Sequence, residues 1–111
     1  MYIFVECWKA RPEWMALNTD ARSAYMTQLG TGIAELVKQG VEIVSWSTND
    51  PDTSQRSHYD FLAVWKFPAK DFVKEFERIV EQSGWYDYFD QVNLSGEVSD
   101  PASVIGQMIQ L

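Results

Sequence analysis

Two stretches of this chain are apolar on both faces of the structure they favour. Tyr2-Ile3-Phe4-Val5-Glu6-Cys7-Trp8-Lys9 is rich in β-branched and aromatic side chains and reads as a strand, as does Tyr59 to Phe67. Side chains alternate across a strand. The first strand therefore sets Ile3, Val5 and Cys7 on one face and Tyr2, Phe4 and Trp8 on the other. The second sets Leu62 and Val64 against Tyr59, Phe61, Ala63 and Trp65. An antiparallel sheet with helices on one side normally alternates apolar-in with polar-out. A sheet with two apolar faces needs two covers.

The rest of the chain supplies one of them. Arg11-Pro12 opens a short helical turn, with proline suited to a first helical position. Asn18-Thr19-Asp20 caps a longer helix over about residues 20 to 39, with Tyr25, Leu29, Ile33, Leu36 and Val37 at helical spacing and Gly40 as its stop. Gly30 and Gly32 weaken its middle by about 1 kcal/mol each relative to alanine, which predicts a kink or a close helix contact. Val41 to Thr48 is a strand, and 47–57 is a polar loop. Pro68 opens a helix carrying Phe72, Val73, Phe76, Ile79 and Val80, closed by Gly84. A last strand covers about Gln91 to Val98, and Asp100-Pro101 caps a final helix bearing Val104, Ile105, Met108 and Ile109. The order β-α-β-β-α-β plus a helix predicts a single α+β domain over residues 1–111, a ferredoxin-like sandwich with both long helices on one face. A second copy of the sheet is the simplest cover for the other face. That gives a homodimer with an aromatic-lined space between its sheets. The competing cover is the C-terminal helix folding over the same face within one chain.

Composition narrows the partners. Nine basic against 16 acidic side chains give a net charge of −7, with no basic stripe for a phosphate backbone, so nucleic acid is not expected. The apolar runs are too short to span a bilayer, and Glu6 interrupts the first after five residues, so neither a membrane segment nor a signal peptide is expected. A single cysteine forbids an internal disulfide framework and suits a reducing cytoplasm.

The chain resembles the dimeric α/β-barrel superfamily of ferredoxin-like proteins, and within it a small bacterial family of unknown function. The residues that carry the likeness are Tyr2 to Lys9, Trp46 to Asp52, Tyr59-Asp60-Phe61 through Trp65-Lys66, and Gly84-Trp85-Tyr86-Asp87-Tyr88-Phe89. The resemblance implies the fold over nearly the whole chain. The wider superfamily includes cofactor-free monooxygenases, haem-degrading oxygenases, lactone isomerases, dye-peroxidase relatives and sensor domains, and one fold serves many chemistries. Its haem-degrading members use a histidine on a helix. His58 precedes a strand here, a departure that tells against haem, and no cofactor is expected.

Glu6 is the most informative single residue. Alternation puts it beside Phe4 and Trp8, where desolvation raises a carboxyl pKa toward the range of a general acid or base. The alternative is a structural carboxylate bonded to a Tyr or Trp, or paired with a basic group. His58 is the only histidine, placed at the start of the third strand; it is either a second acid/base candidate or a surface residue. A metal is not expected: no second histidine is near, and Asn49, Asp50 and Asp52 are explained by turn chemistry. Phe4, Trp8, Trp46, Phe61 and Trp65 are expected to line a cavity for a flat apolar ligand, with Tyr86 and Tyr88 at its mouth; a packed dimer core asks for the same side chains. Cys7 shares its face with Ile3 and Val5, read as the helix-facing side, and so is a small core hydrophobe. Three functions remain open. They are a cofactor-free enzyme, monooxygenase- or isomerase-like, acting on an apolar or aromatic small molecule; a non-catalytic binding protein for a lipophilic metabolite; and a structural dimeric module.

Overall fold

A computed structural model describes all 111 residues, Met1–Leu111. The elements are β1 (Tyr2–Ala10), α1 (Pro12–Met15), α2 (Thr19–Lys38), β2 (Glu42–Thr48), β3 (Phe61–Phe67), α3 (Lys70–Gln82), α4 (Trp85–Tyr88), β4 (Phe89–Glu97) and α5 (Pro101–Ile109). Local chemistry sets the helix ends. Asn18 accepts from the Ala21 amide at 2.8 Å to start α2. At the other end Gly40 takes φ +103°, Gly40 N–H donates to Val37 O, and Val41 N–H donates to Leu36 O. These are the two bonds of a Schellman stop, and its two apolar residues, Leu36 and Val41, are both buried. Gly84, at φ +81°, turns the chain from α3 into α4.

The strands form one sheet in the order β2-β3-β1-β4, every pair antiparallel, with α2 and α3 on one face. This is the ferredoxin-like arrangement that the order of elements predicts. Two local expectations shift. The third strand begins at Phe61, which leaves His58 and Tyr59 in the preceding loop. The aromatic run 85–88 forms a helical turn.

The larger correction concerns which face the helices take. Phe4, Glu6 and Trp8 of β1, and Ala63, Trp65 and Phe67 of β3, are buried in the core, under helix residues that include Val73, Phe76 and Val80. The aromatic face is therefore the helix-covered one, and Ile3, Val5 and Cys7 belong to the open face. Alternation fixes which residues share a face; it does not say which face the helices choose. The choice follows bulk, because large rings bury most area under helices 10 Å away. Trp65, Phe67 and Phe76 are the largest fully buried side chains, and truncating Phe67 or Phe76 to alanine should cost about 3–5 kcal/mol.

The open face stays apolar along its centre. Val5 pairs across the sheet with Val64 and Leu94, and Cys7 with Leu62 and Val92. The C-terminal helix does not fold over it: every residue from Pro101 to Leu111 is exposed. The molecule is accordingly thin, 50 × 36 × 20 Å, with a Cα radius of gyration of 15.9 Å. A compact chain of this length has a radius of about 13 Å. No helix is long and apolar enough to cross a membrane.

Candidate functional site

Glu6 lies mid-strand in β1, paired with Ala63 of β3 and Asn93 of β4, and is the one buried charged or polar residue of the chain. The Trp65 indole Nε1–H donates to its Oε2 at 2.8 Å, and the Gln91 amide Nε2 donates to its Oε1 at 3.0 Å. The same Gln91 nitrogen donates to Asn93 Oδ1 at 2.8 Å. Trp85 fixes this arrangement by donating its Nε1–H to Gln91 Oε1 at 2.6 Å. An indole nitrogen can only donate, so it selects the amide oxygen and turns the amide's hydrogens toward Glu6 and Asn93. Both carboxylate oxygens thus face donors, and the site is built for an acceptor. Burial pushes the Glu6 carboxyl above the usual carboxylate range, with the Trp65 and Gln91 bonds pulling the other way.

A groove leads in from the opposite side. It lies between α2 and the β2 edge, holds roughly 540 Å³, and is lined by side chains that include Met26, Leu29, Ile33 and Ile43, with Trp46 and Trp65 at its floor. Gly30 and Ala34, one helical turn apart, leave the α2 wall low. Behind Trp46 and Trp65 is a chamber of about 20 Å³, with Glu6 on its far wall. That is room for about one water molecule. The groove and the chamber share Leu29, Ile33, Trp46 and Trp65. Trp46 is half exposed and stands edge-on to Trp8 at 5.0 Å and to Trp65 at 6.1 Å between ring centroids. It lines both the groove and the chamber.

The other candidates stand elsewhere. Phe4 packs on Phe67 and Phe76 deep in the core and reaches neither space. Trp8 is buried among Trp46, Phe61 and Trp85, and Phe61 sits at its outer side, part exposed. Tyr86 is on the surface, its hydroxyl 3.5 Å from Asn93 Nδ2. Tyr88 belongs to an edge-to-face cluster with Trp14 and Tyr25 near the start of α2. His58 is exposed in the loop before β3 and lines neither space. Cys7 lies on the open face, where burial and the nearby Glu6 charge push its thiol up, away from nucleophilic character. Asn49 serves the loop itself, donating to Tyr59 O at 2.7 Å. No three acidic, histidine or cysteine side chains gather in a metal-binding group.

Two contributors escape a reading by sequence. Gln91 and Asn93 are ordinary strand polar residues until the β1–β4 register sets Asn93 opposite Glu6 and Gln91 opposite Trp8, on the same face. The groove wall leaves more of a trace. Leu29, Ile33 and Val37 fall on one helical stripe, and Gly30 lies on it.

Comparison with known proteins addresses the fold. A variant of chlorite dismutase from Candidatus Nitrospira defluvii superposes with a TM-score of 0.73 at 19% identity, over 96% of this chain and 43% of that one. A protein of unknown function from Rhodopseudomonas palustris superposes with a TM-score of 0.59 at 17% identity, over 90% of this chain and 83% of that one. This chain therefore spans less than half the length of the chlorite dismutase it matches. No curated protein matches it in sequence. Residues 1–111 match DUF6616, described as a family of unknown function.

Proposed function

The chain belongs to DUF6616, a family of unknown function, and for its site we propose the binding of an apolar, aromatic small molecule, with Glu6 as general base and no cofactor. One observation carries this reading. The only buried carboxylate, its pKa raised by burial and its two oxygens held as acceptors, lines a small chamber that shares Leu29, Ile33, Trp46 and Trp65 with the apolar groove. A base in such a place removes a proton from a carbon acid: the proton passes to a Glu6 oxygen and the electron pair stays on the substrate. Trp65 and Gln91 orient the carboxylate, and the dry walls make it a stronger base. Residues 1–111 act in this reading as one domain in a reducing cytoplasm.

The second reading, a binding protein without turnover, is favoured by the size of the chamber. Space for one water separates Glu6 from any ligand in the groove unless Trp46 swings aside. Two probes decide between them. N-phenylnaphthylamine is a neutral fluorophore that brightens in apolar surroundings. Nitrobenzisoxazole is a flat apolar carbon acid; loss of its ring C–H proton to a base forms a nitrile as the N–O bond breaks, releasing a coloured phenolate. The enzyme reading expects fluorophore binding, together with phenolate release that falls to the buffer rate in Glu6→Gln and rises with pH through the raised Glu6 pKa. Binding without Glu6-dependent release selects the second reading. No binding of either probe selects a structural module.

The proposal includes a two-fold homodimer through the open sheet face. Its apolar centre of Val5, Cys7, Leu62, Val64, Val92 and Leu94 is rimmed by Lys9, Asp90, Lys66 and Glu42, charges of both signs that a self-complementary interface can pair. The chain exposes 7561 Å², against about 6,300 Å² expected for a folded monomer of this mass. The excess exceeds the roughly 800 Å² that each partner buries in a standard interface.

A further inference from the structure

Helix α5 is a well-formed helix with nothing to pack on. Asp100 caps it by accepting from the Ser103 amide at 2.8 Å, and Pro101 takes its first position. Residues 101–111 carry no charged side chain. Val104, Ile105, Met108 and Ile109 share one helical face, and all are exposed. A nine-residue helix is marginal alone in water, and no surface of its own chain covers the apolar face of this one.

The α2–β2 groove is the surface that matches it. The groove also has no charged lining side chain, and Gly30 and Ala34 lower its α2 wall enough for a helix to approach. Its own α5 does not enter it, and to do so would have to cross the end of the sheet. The helix leaves the sheet at the β4 edge, while the groove opens at the β2 edge, three strand spacings or about 14 Å away. Val98 N–H is bonded to Met1 O at 2.9 Å. Only Ser99 and Asp100 are left as linker, about 7 Å of extended chain. A second copy removes the difficulty. When two sheets stack about a two-fold axis that runs along the strands, each β4 edge lies over the partner's β2 edge. The helix that follows β4 then emerges at the partner's β2 edge, and its own length can carry it round that edge to the groove on the α2 side.

We propose that α5 of one copy covers the α2–β2 groove of a second copy, so that each site is completed by its partner. This rests on the dimer proposed above, and it deepens the reading of the groove: a small molecule enters a space roofed by the partner's Ile105 and Ile109.

A photo-crosslinking amino acid at position 105 tests it, in the full chain, after subunit exchange between ordinary and nitrogen-15-labelled protein. The expected links join α5 to residues 26–46, and about half of them are of mixed isotope, as random pairing of copies requires. Links of unmixed isotope only would overturn the proposal by placing α5 on its own chain. Links to the open face, or from α5 to α5, would overturn it in favour of another dimer geometry, and a crosslink-free monomer would overturn it outright. Binding of N-phenylnaphthylamine that Gly30→Phe abolishes is measured on the same preparation. If it persists while the crosslinks fall elsewhere, the helix assignment fails and the ligand site stands.

Discussion

At the scale of single residues, the site is a carboxylate whose surroundings oppose one another. Burial raises the Glu6 pKa, and two donors hold it down. Removing one donor should leave burial less opposed: in Gln91→Leu the Glu6 carboxyl should titrate at higher pH than in the parent protein, as read from its carbon-13 shift. A stability consequence follows from the same shift. A carboxyl whose folded pKa lies above its unfolded value binds its proton more tightly in the folded state. Stability therefore falls as pH rises from the ordinary glutamate range through the raised value. Urea unfolding across that interval should show this slope, and Glu6→Gln should lack it; equal slopes would mean that Glu6 does not sense its burial. The burial of Glu6 was legible in the sequence, because it alternates with Phe4 and Trp8, and its bond from Trp65 is the one that a structural carboxylate would also make. Gln91 was not, because its role depends on a cross-strand register and on an indole six residues away.

Among the elements, α2 shows two glycines with different reasons for being glycine. A Cβ on Gly32 would meet Ile79 Cγ2 at 3.3 Å, so Gly32 sets how closely α2 and α3 approach. A Cβ on Gly30 would meet nothing within 4 Å, and the space belongs to the groove. Gly30→Ala should accordingly stabilise the chain by about 1 kcal/mol in urea unfolding, as helix propensity predicts. Gly32→Ala should recover little or none of that, since Ile79 has to move. If both substitutions stabilise equally, the α2–α3 contact is looser than its geometry indicates. The larger Gly30→Phe should fill the groove and abolish fluorophore binding while the melting temperature stays within a few degrees of the parent's. The glycine pair announced a close contact or a kink in the sequence, and only the structure separates the contact from the opening. Most elements were legible in the same way, from caps and stripes such as Asn18, Gly40 and the Phe72–Val80 series. The faces of the sheet were not. Both are apolar, and alternation alone has no means of saying which set of side chains the helices will take.

For the whole molecule, the aliphatic open face and the excess surface point to a second copy. Leu94 is 71% exposed midway along the edge strand β4 on that face, so a charge there should leave the single chain folded. Leu94→Asp is expected to sediment as a monomer with an unchanged far-ultraviolet spectrum, and the parent is expected to sediment as a dimer. A parent that stays monomeric at micromolar concentration would remove the dimer altogether. Two apolar faces in the sequence were enough to ask for a second cover, and the structure shows that the face left open is the aliphatic one, with the aromatic one under the helices. Helix α5 carries a last consequence. Exposed terminal segments are where proteases cut first, and an equilibrium with a partner shelters them only in proportion to the partner's concentration. In the proposed dimer α5 is sheltered only by a second copy, so scarce molecules would be cut sooner than abundant ones and turnover of this protein would depend on its own dosage.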